Sequence, residues 1–168
     1  MTLSVRTLVE SDIAPVVEFS VRAWKPVHES MCRVMGPEIF GRVYPDWAAS
    51  QAQAVESVCR VESNRVWVAV EDGRPVGFVA VVLHDQGGVK SGEIEMVAVA
   101  PECQGRGIGL ALVSLAVEEI SQLGIPIAEI GTGGDPGHAA ARRVYEKAGF
   151  TALPLVRYYK ALPSIEAT

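Results

Sequence analysis

The sequence predicts an α+β layered domain, with a mostly antiparallel sheet covered by helices on both faces. Three observations carry that prediction. Val66–Val70 and Val76–Leu83 are rich in β-branched residues and flank Glu71-Asp72-Gly73-Arg74-Pro75, where Asp-Gly is a strong hairpin signal. A third run of strand character, Gly92–Val99, follows Gly87-Gly88 and extends the same sheet. Segments with helical apolar spacing precede and follow this block. With 168 residues, 49% of them hydrophobic, the chain suits one domain with a sizeable core and is short for two. A single domain over 1–168, its core at about 3–162, is expected, with no internal repeat.

Taken in order, Val5–Leu8 alternates as a short strand. Ser11 is a candidate helix cap, with Asp12 in the first turn and Pro15 tolerated early. Ile13, Val16, Val17, Val21 and Trp24 supply the apolar face, and Pro26 predicts that helix's end. Residues 27–46 read as irregular, with room for a short helix among Gly36-Pro37, Gly41 and Pro45. Asp46 caps a helix from Trp47 to about Cys59. Beyond the three strands, a helix is predicted from about Gly107 to Leu123. Its residues Leu110, Leu112, Val113, Leu115, Ala116 and Ile120 leave little polar surface, so it is largely buried. A strand at Ile125–Ile130, a loop at Gly131–Gly137 and a helix over 138–148 follow, stopped by Gly149. Phe150–Leu155 and Val156–Ala161 read as a final pair of strands, with the last few residues frayed.

The segment richest in chemistry is 97–110, an apolar strand that runs through three alternate glycines into the buried helix. Gly105, Gly107 and Gly109 remove Cβ atoms where the backbone turns and lies close to something else. The helix start brings unpaired N–H groups and the positive end of its dipole to the same place. Together these suit a phosphate or pyrophosphate. A nucleotide P-loop is excluded, because no Gly-Lys pair occurs in the chain. A dinucleotide-binding turn needs Gly-x-Gly-x-x-Gly, and the spacing here is Gly-x-Gly-x-Gly. A tight turn without a ligand remains the alternative on the glycines alone.

Composition narrows the classes. The net charge of −5 argues against broad nucleic-acid binding. An anionic ligand must then be held by local dipoles and a few cations, for which Arg106, Arg142, Arg143 and Lys147 are candidates. No apolar run reaches membrane-span length, and the opening residues lack a signal peptide's basic start and apolar centre. Cys32, Cys59 and Cys103, widely spaced, read as reduced thiols, so a cytoplasmic protein without a metal site is expected.

Gln104-Gly-Arg-Gly-Ile-Gly109 resembles the Gln/Arg-x-x-Gly-x-Gly/Ala signature of the GNAT N-acyltransferase superfamily, and Val97-Ala-Val-Ala-Pro101 resembles the strand that leads into it. Ala141-Arg-Arg-Val-Tyr145-Glu-Lys-Ala-Gly-Phe150 resembles that family's Ala-x-x-x-Tyr-x-x-x-Gly-Phe helix. The close resemblance covers roughly residues 65–160. It implies a mixed sheet whose central strands splay into a V-shaped cleft, with acetyl-CoA as cosubstrate and an amine as acceptor. It implies that the backbone of Gln104, Gly105, Arg106, Gly107, Ile108 and Gly109 binds the pyrophosphate. The arm would lie along Val97, Ala98 and Val99, as an added strand does. His138 and Ala141 fall at further cofactor contacts; many members carry Asn where this chain has His138, and imidazole does not copy an amide's hydrogen bonding.

Transfer to an amine requires loss of a proton, since such a group has a pKa of about 10. Glu93, eleven residues before Gln104, occupies the position of the family's general base. Glu95, two residues on, is expected on the same strand face and is a second candidate. Both could instead serve only to draw a cationic amine. Tyr145 matches the general acid that returns a proton to the departing thiolate. Cys103 suggests a covalent acyl-enzyme, but no histidine is near it in sequence and the family transfers directly. His28 and His84 read as structural histidines. The acceptor side holds Trp24, His28, Phe40, Tyr44, Trp47 and Tyr158, which could line a slot. Small amines, amino acids, aminoglycosides, peptide N-termini and protein lysines all stay open, as does a homodimer. A non-catalytic acyl-CoA sensor is the alternative reading.

Overall fold

The computed structural model describes residues 3–163. One five-stranded sheet runs in the order β1 (Leu3–Thr7), β2 (Arg65–Glu71), β3 (Arg74–Gln86), β4 (Val89–Val99), β5 (Ile127–Glu129). The first four strands are antiparallel neighbours, and β4 and β5 are parallel. The helices are α1 (Ile13–Met35), α2 (Pro37–Val43), α3 (Trp47–Arg60), α4 (Ile108–Gln122) and α5 (Ala139–Lys147). The expected mostly antiparallel sheet with helices around it is what the chain forms.

Both hairpins turn on two residues with positive φ: Asp72 (49°) and Gly73 (80°), then Gly87 (63°) and Gly88 (86°). This geometry matches the right-handed twist of the flanking strands. It lets β3 and β4 run to the turn itself, longer than the hydrophobic runs suggest. Successive residues of β3 serve opposite layers. Gly77 faces α4, where an added Cβ would lie 3.0 Å from a Leu112 methyl. The next residue, Phe78, meets Phe19 of α1 at 6.3 Å between ring centroids. Phe78, Ile94, Leu112 and Ile120 are fully buried, each contributing about 2 kcal/mol on leaving water.

The packing of α4 on the sheet leaves no spare volume at Gly92. A Cβ there would stand 2.7–2.8 Å from three carbons of Ile120. Gly92→Ala is therefore expected to lower unfolding stability by about 1–3 kcal/mol, measurable by urea denaturation.

Two helix boundaries differ from expectation. Asp12, not Ser11, anchors the start of α1: its buried carboxylate accepts the Val9 N–H (2.9 Å) and two bonds from Arg6 (2.6 and 3.0 Å). The Arg6 guanidinium holds that carboxyl below the usual carboxylate range. Pro26 does not end α1, which continues to Met35 and stops at Gly36, where φ is +82°. An internal proline costs about 3 kcal/mol. Here α1 is anchored on both sides of it, by buried Val16 and Phe19 before and by buried His28 and Ser30 after. The segment read as irregular is thus mostly helical, with Pro37 opening α2 and the Asp46 carboxylate accepting the Ala49 N–H (3.0 Å) at the start of α3.

The final pair of strands does not form: 151–163 is neither helix nor strand. Its residues are β-prone, but β5 offers only three residues of edge. The segment leads instead to α2, where Arg42 donates to the Leu162 carbonyl (2.7 Å). Among the described residues, no helix is long and apolar enough to cross a membrane.

Candidate active site

Strands β4 and β5 share three rungs, Ser91–Ile127, Gly92–Ala128 and Glu93–Glu129, and then part. From Ile94 to Val99, β3 is the one strand paired with β4 among the described residues. The gap is a cleft of about 690 Å³, walled by β4, by Ala23, Trp24, Pro26 and Val27 of α1, by the glycine loop, and by Val144 and Tyr145 of α5.

The free edge of β4 has a defined polarity. The Ala100 N–H donates to Val76 of β3 (2.8 Å). Alternation then puts the backbone groups of Ala98 on the β3 side and turns those of Val97 and Val99 towards the cleft. The Gln104 side chain donates to the Val99 carbonyl from that side (3.0 Å).

At the end of β4 the chain turns through Gly105 (φ +74°) and Gly107 (φ +83°), conformations that other residues adopt only under strain. Gly107 caps α4, a helix of 15 residues. Among the described residues, none of the six amides from Gly105 to Leu110 donates to a protein acceptor; the first bonded amide of the helix is Ala111, to the Gly107 carbonyl (3.0 Å). Gly109 has ordinary φ, and a Cβ there would touch only a Val99 methyl at 3.7 Å. Arg106 points elsewhere, with its guanidinium on the Glu71 carboxylate (Nη1 to Oε2, 3.1 Å), and it holds that carboxyl below its usual range. The loop therefore presents main-chain donors at the positive end of a helix dipole.

The two carboxylates of β4 separate. The β3–β4 register passes from Ala80–Met96 to Val81–Ile94 and skips Glu95, the extra residue of a β-bulge. Glu95 lines the cleft and Glu93 does not. Glu93 lies on the last shared rung, where its carboxylate meets His84 Nε2 at 2.8 Å. That partner was not foreseen for His84, although the cross-strand diagonal could have suggested it.

His138, which precedes α5 at its cap position, and Ala141 and Tyr145 on α5 recur at helical spacing and all line the cleft. Tyr145 packs against Phe150 (centroids 6.4 Å apart), and burial pushes its hydroxyl up to about 12. His138 Nδ1 is bonded to Asp135 Oδ1. The other oxygen of Asp135 accepts from Ser30 Oγ (2.7 Å) and from the Gly137 N–H (3.0 Å). Arg142 donates to the carbonyls of Gly133 (2.6 Å) and Asp135 (2.9 Å). Sequence reading singled out His138 but could not find Ser30 on α1, 105 residues from its partner Asp135. Bonds from Ser30 and His138 hold the Asp135 carboxyl below the ordinary value, against the opposing effect of burial. Its stabilising contribution is therefore present above about pH 4 and lost as pH falls through the depressed value. Asp135→Asn is expected to cost about 1–3 kcal/mol at neutral pH and to flatten the acid limb of the stability profile, as read by thermal melts across pH.

Two residues before Ser30 on α1, His28 is 8% exposed and stacked on Trp47 (centroids 4.4 Å, 21°), with Tyr44 and Phe40 edge-on at 5.7 and 6.3 Å. Burial lowers the His28 pKa, which favours the neutral ring. Of the expected acceptor-side aromatics, Trp24 lines the cleft, these four cluster beside it, and Tyr158 is 90% exposed. Cys103 is buried at the foot of the loop with its thiol unpaired in any disulfide.

The acetyltransferase (GNAT) family profile matches residues 28–150. The chain belongs to that family. The mycothiol acetyltransferase of Amycolatopsis mediterranei (strain U-32) is 31% identical over 118 residues, covering 63% of this chain and 38% of that protein. The chain thus spans under half the length of that curated relative. A ribosomal-protein-alanine N-acetyltransferase from Brucella melitensis biovar Abortus 2308 superposes with a TM-score of 0.64 at 18% identity, over 96% of this chain and all of the other. An aminoglycoside N-acetyltransferase solved with CoA gives 0.62 at 15% identity, over 95% of both chains. At such identities these likenesses show the fold.

Proposed function

We propose that the protein transfers an acetyl group from acetyl-CoA to a primary amine by direct attack. The observation that carries this is the run of unpartnered amides from Gly105 to Leu110, opening on a cleft whose other wall is the free edge of β4. The free amides from Gly105 through Gly109 hold the diphosphate; that of Gln104, expected among them, donates to the Pro101 carbonyl instead (3.4 Å). The carbonyls and amides of Val97 and Val99 pair with the amide-bearing arm, while Ala98, turned to β3, contributes only its small side chain. Ala141 leaves room for the arm. His138, donating from Nδ1 to Asp135, offers Nε2 as an acceptor to the arm in place of an amide side chain.

The reaction places two demands on the chain. The ammonium must lose a proton, and Glu95, on the cleft, draws the cation and receives it. Glu93 stands off the cleft and takes part through water. Nitrogen then bonds to the acyl carbon and the carbon–sulfur bond breaks; the thiolate collects a proton from Tyr145, and the second proton that nitrogen sheds on becoming an amide restores the phenol. A phenol pushed up to about 12 is fully protonated at neutral pH, as a donor must be.

The test is release of free CoA from acetyl-CoA across a panel of amines, with acetyl-CoA affinity measured separately by calorimetry. Turnover with at least one amine class is expected. Tight binding without turnover on any amine would replace catalysis with a binding role, and absence of binding would overturn the reading.

A further inference from the structure

We propose that Ser30 and Asp135 are positioning residues for His138. They hold its imidazole as the tautomer whose bare Nε2 is turned to the cleft, so that this chain accepts a hydrogen bond from an N–H of the cofactor arm. The contact with the arm rests on the acetyl-transfer reading; the fixed tautomer does not.

Every hydrogen in this chain of bonds has one place to go. The Asp135 carboxyl, held below its ordinary range, is ionised at neutral pH and only accepts. Ser30, 1% exposed, gives its one hydroxyl hydrogen to Asp135 Oδ2 (2.7 Å), and its oxygen accepts the Gly137 N–H (2.9 Å). The same N–H also reaches Asp135 Oδ2 (3.0 Å), so two donors point at that oxygen. Asp135 Oδ1 is left for the ring, and His138 Nδ1 must bring the hydrogen. A neutral imidazole with its hydrogen on Nδ1 has a bare Nε2. Of the three residues, His138 is the one that lines the cleft. The bonds therefore run outward from α1 and end on a single acceptor in the cleft wall.

The surrounding backbone is cut to fit this arrangement. A Cβ at Gly133 would stand 2.6 Å from His138 Cε1 and 2.6 Å from Asp135 Oδ1, and closer still to the ring's Nδ1. A Cβ at Gly137 would stand 2.6 Å from Ser30 Cβ and 2.9 Å from Asp135 Oδ2. Neither glycine has a positive φ. Conformation does not call for glycine at either place; room for the three side chains does. Arg142 fixes the loop from α5 through the carbonyls of Gly133 and Asp135. An amide side chain at 138 would carry both a donor and an acceptor and could meet either kind of group. The oriented imidazole carries an acceptor alone, which selects a donor, and an amide N–H of the arm supplies one.

Long-range proton–nitrogen NMR on the wild-type chain without ligand is expected to show His138 with its hydrogen on Nδ1 and none on Nε2. Hydrogen on Nε2, or exchange between the two tautomers, overturns the proposal. Asp135→Asn should reverse the polarity. Its oxygen must take the Oδ2 place, where two donors point, and its NH2 then donates to Nδ1, which moves the ring's hydrogen to Nε2. Calorimetry on this variant should give a dissociation constant for acetyl-CoA raised about tenfold, with the kinetic loss in the KM for acetyl-CoA and not in kcat. The same change in a His138→Asn background should alter affinity less than about twofold, because an amide carries both polarities and has no tautomer to lose. An equal loss in both backgrounds would make Asp135 purely structural and overturn the positioning role. Ser30→Ala, which removes one of the two donors on Oδ2, should raise the constant about threefold with His138 present and leave it unchanged in the His138→Asn background; it reads the same coupling if Asp135→Asn fails to fold. A wild-type chain with the expected tautomer that binds no acetyl-CoA upholds the positioning, and removes the contact with the arm together with the acetyl-transfer reading.

Discussion

Gly107→Val is expected to abolish the proposed acetyl-CoA binding, with the dissociation constant raised at least about a hundredfold, while the domain stays folded. Two features of the site set this result apart from an ordinary core substitution. Gly107 has φ +83°, and a β-branched residue there is strained by about 1–3 kcal/mol. The valine meets no protein atom, because nothing lies within 4 Å of the Cβ position. The strain is relieved by moving the loop, and the amides at the head of α4 lose their convergence. Calorimetry reads the loss of binding, and a far-UV spectrum matching wild type shows that the sheet and α4 persist. Unchanged affinity would mean that the diphosphate sits elsewhere.

Tyr145→Phe is the second large effect. It should lower kcat by about tenfold to a thousandfold and leave the KM for acetyl-CoA nearly unchanged. The ring's packing on Phe150 survives the substitution, so only the hydroxyl is lost. Because burial raises the hydroxyl to about 12, its deprotonation leaves the wild-type rate untouched until well above pH 10. An alkaline fall in kcat nearer neutrality would belong to another group. A wild-type kcat in the variant would take the proton-donor role from Tyr145.

What could be read in the sequence was what local patterning dictates. The Asp72-Gly73 turn, the strands around it, the buried α4 and the Asp46 cap all follow from short-range rules, and the glycine loop announced its open amides by the absence of side chains. Three features depended on contacts that short-range rules do not carry. Pro26 reads as a stop, but α1 is packed on both sides of it, and tertiary contact outweighs the lost hydrogen bond. The bulge at Glu95 arises from the β3–β4 register, so the simple alternation of β4 could not show that Glu95 reaches the cleft and Glu93 turns to His84. The Ser30–Asp135–His138 chain joins residues far apart in sequence. The 151–163 segment shows the reverse: its β propensity was legible, but a strand also needs an edge to bond to.

A crystal structure grown with acetyl-CoA tests the central claim most directly. Diphosphate oxygens within hydrogen-bonding distance of the amides between Gly105 and Leu110, with the arm running along Val97 and Val99, are the predicted result. A diphosphate bound anywhere else on the molecule would contradict it.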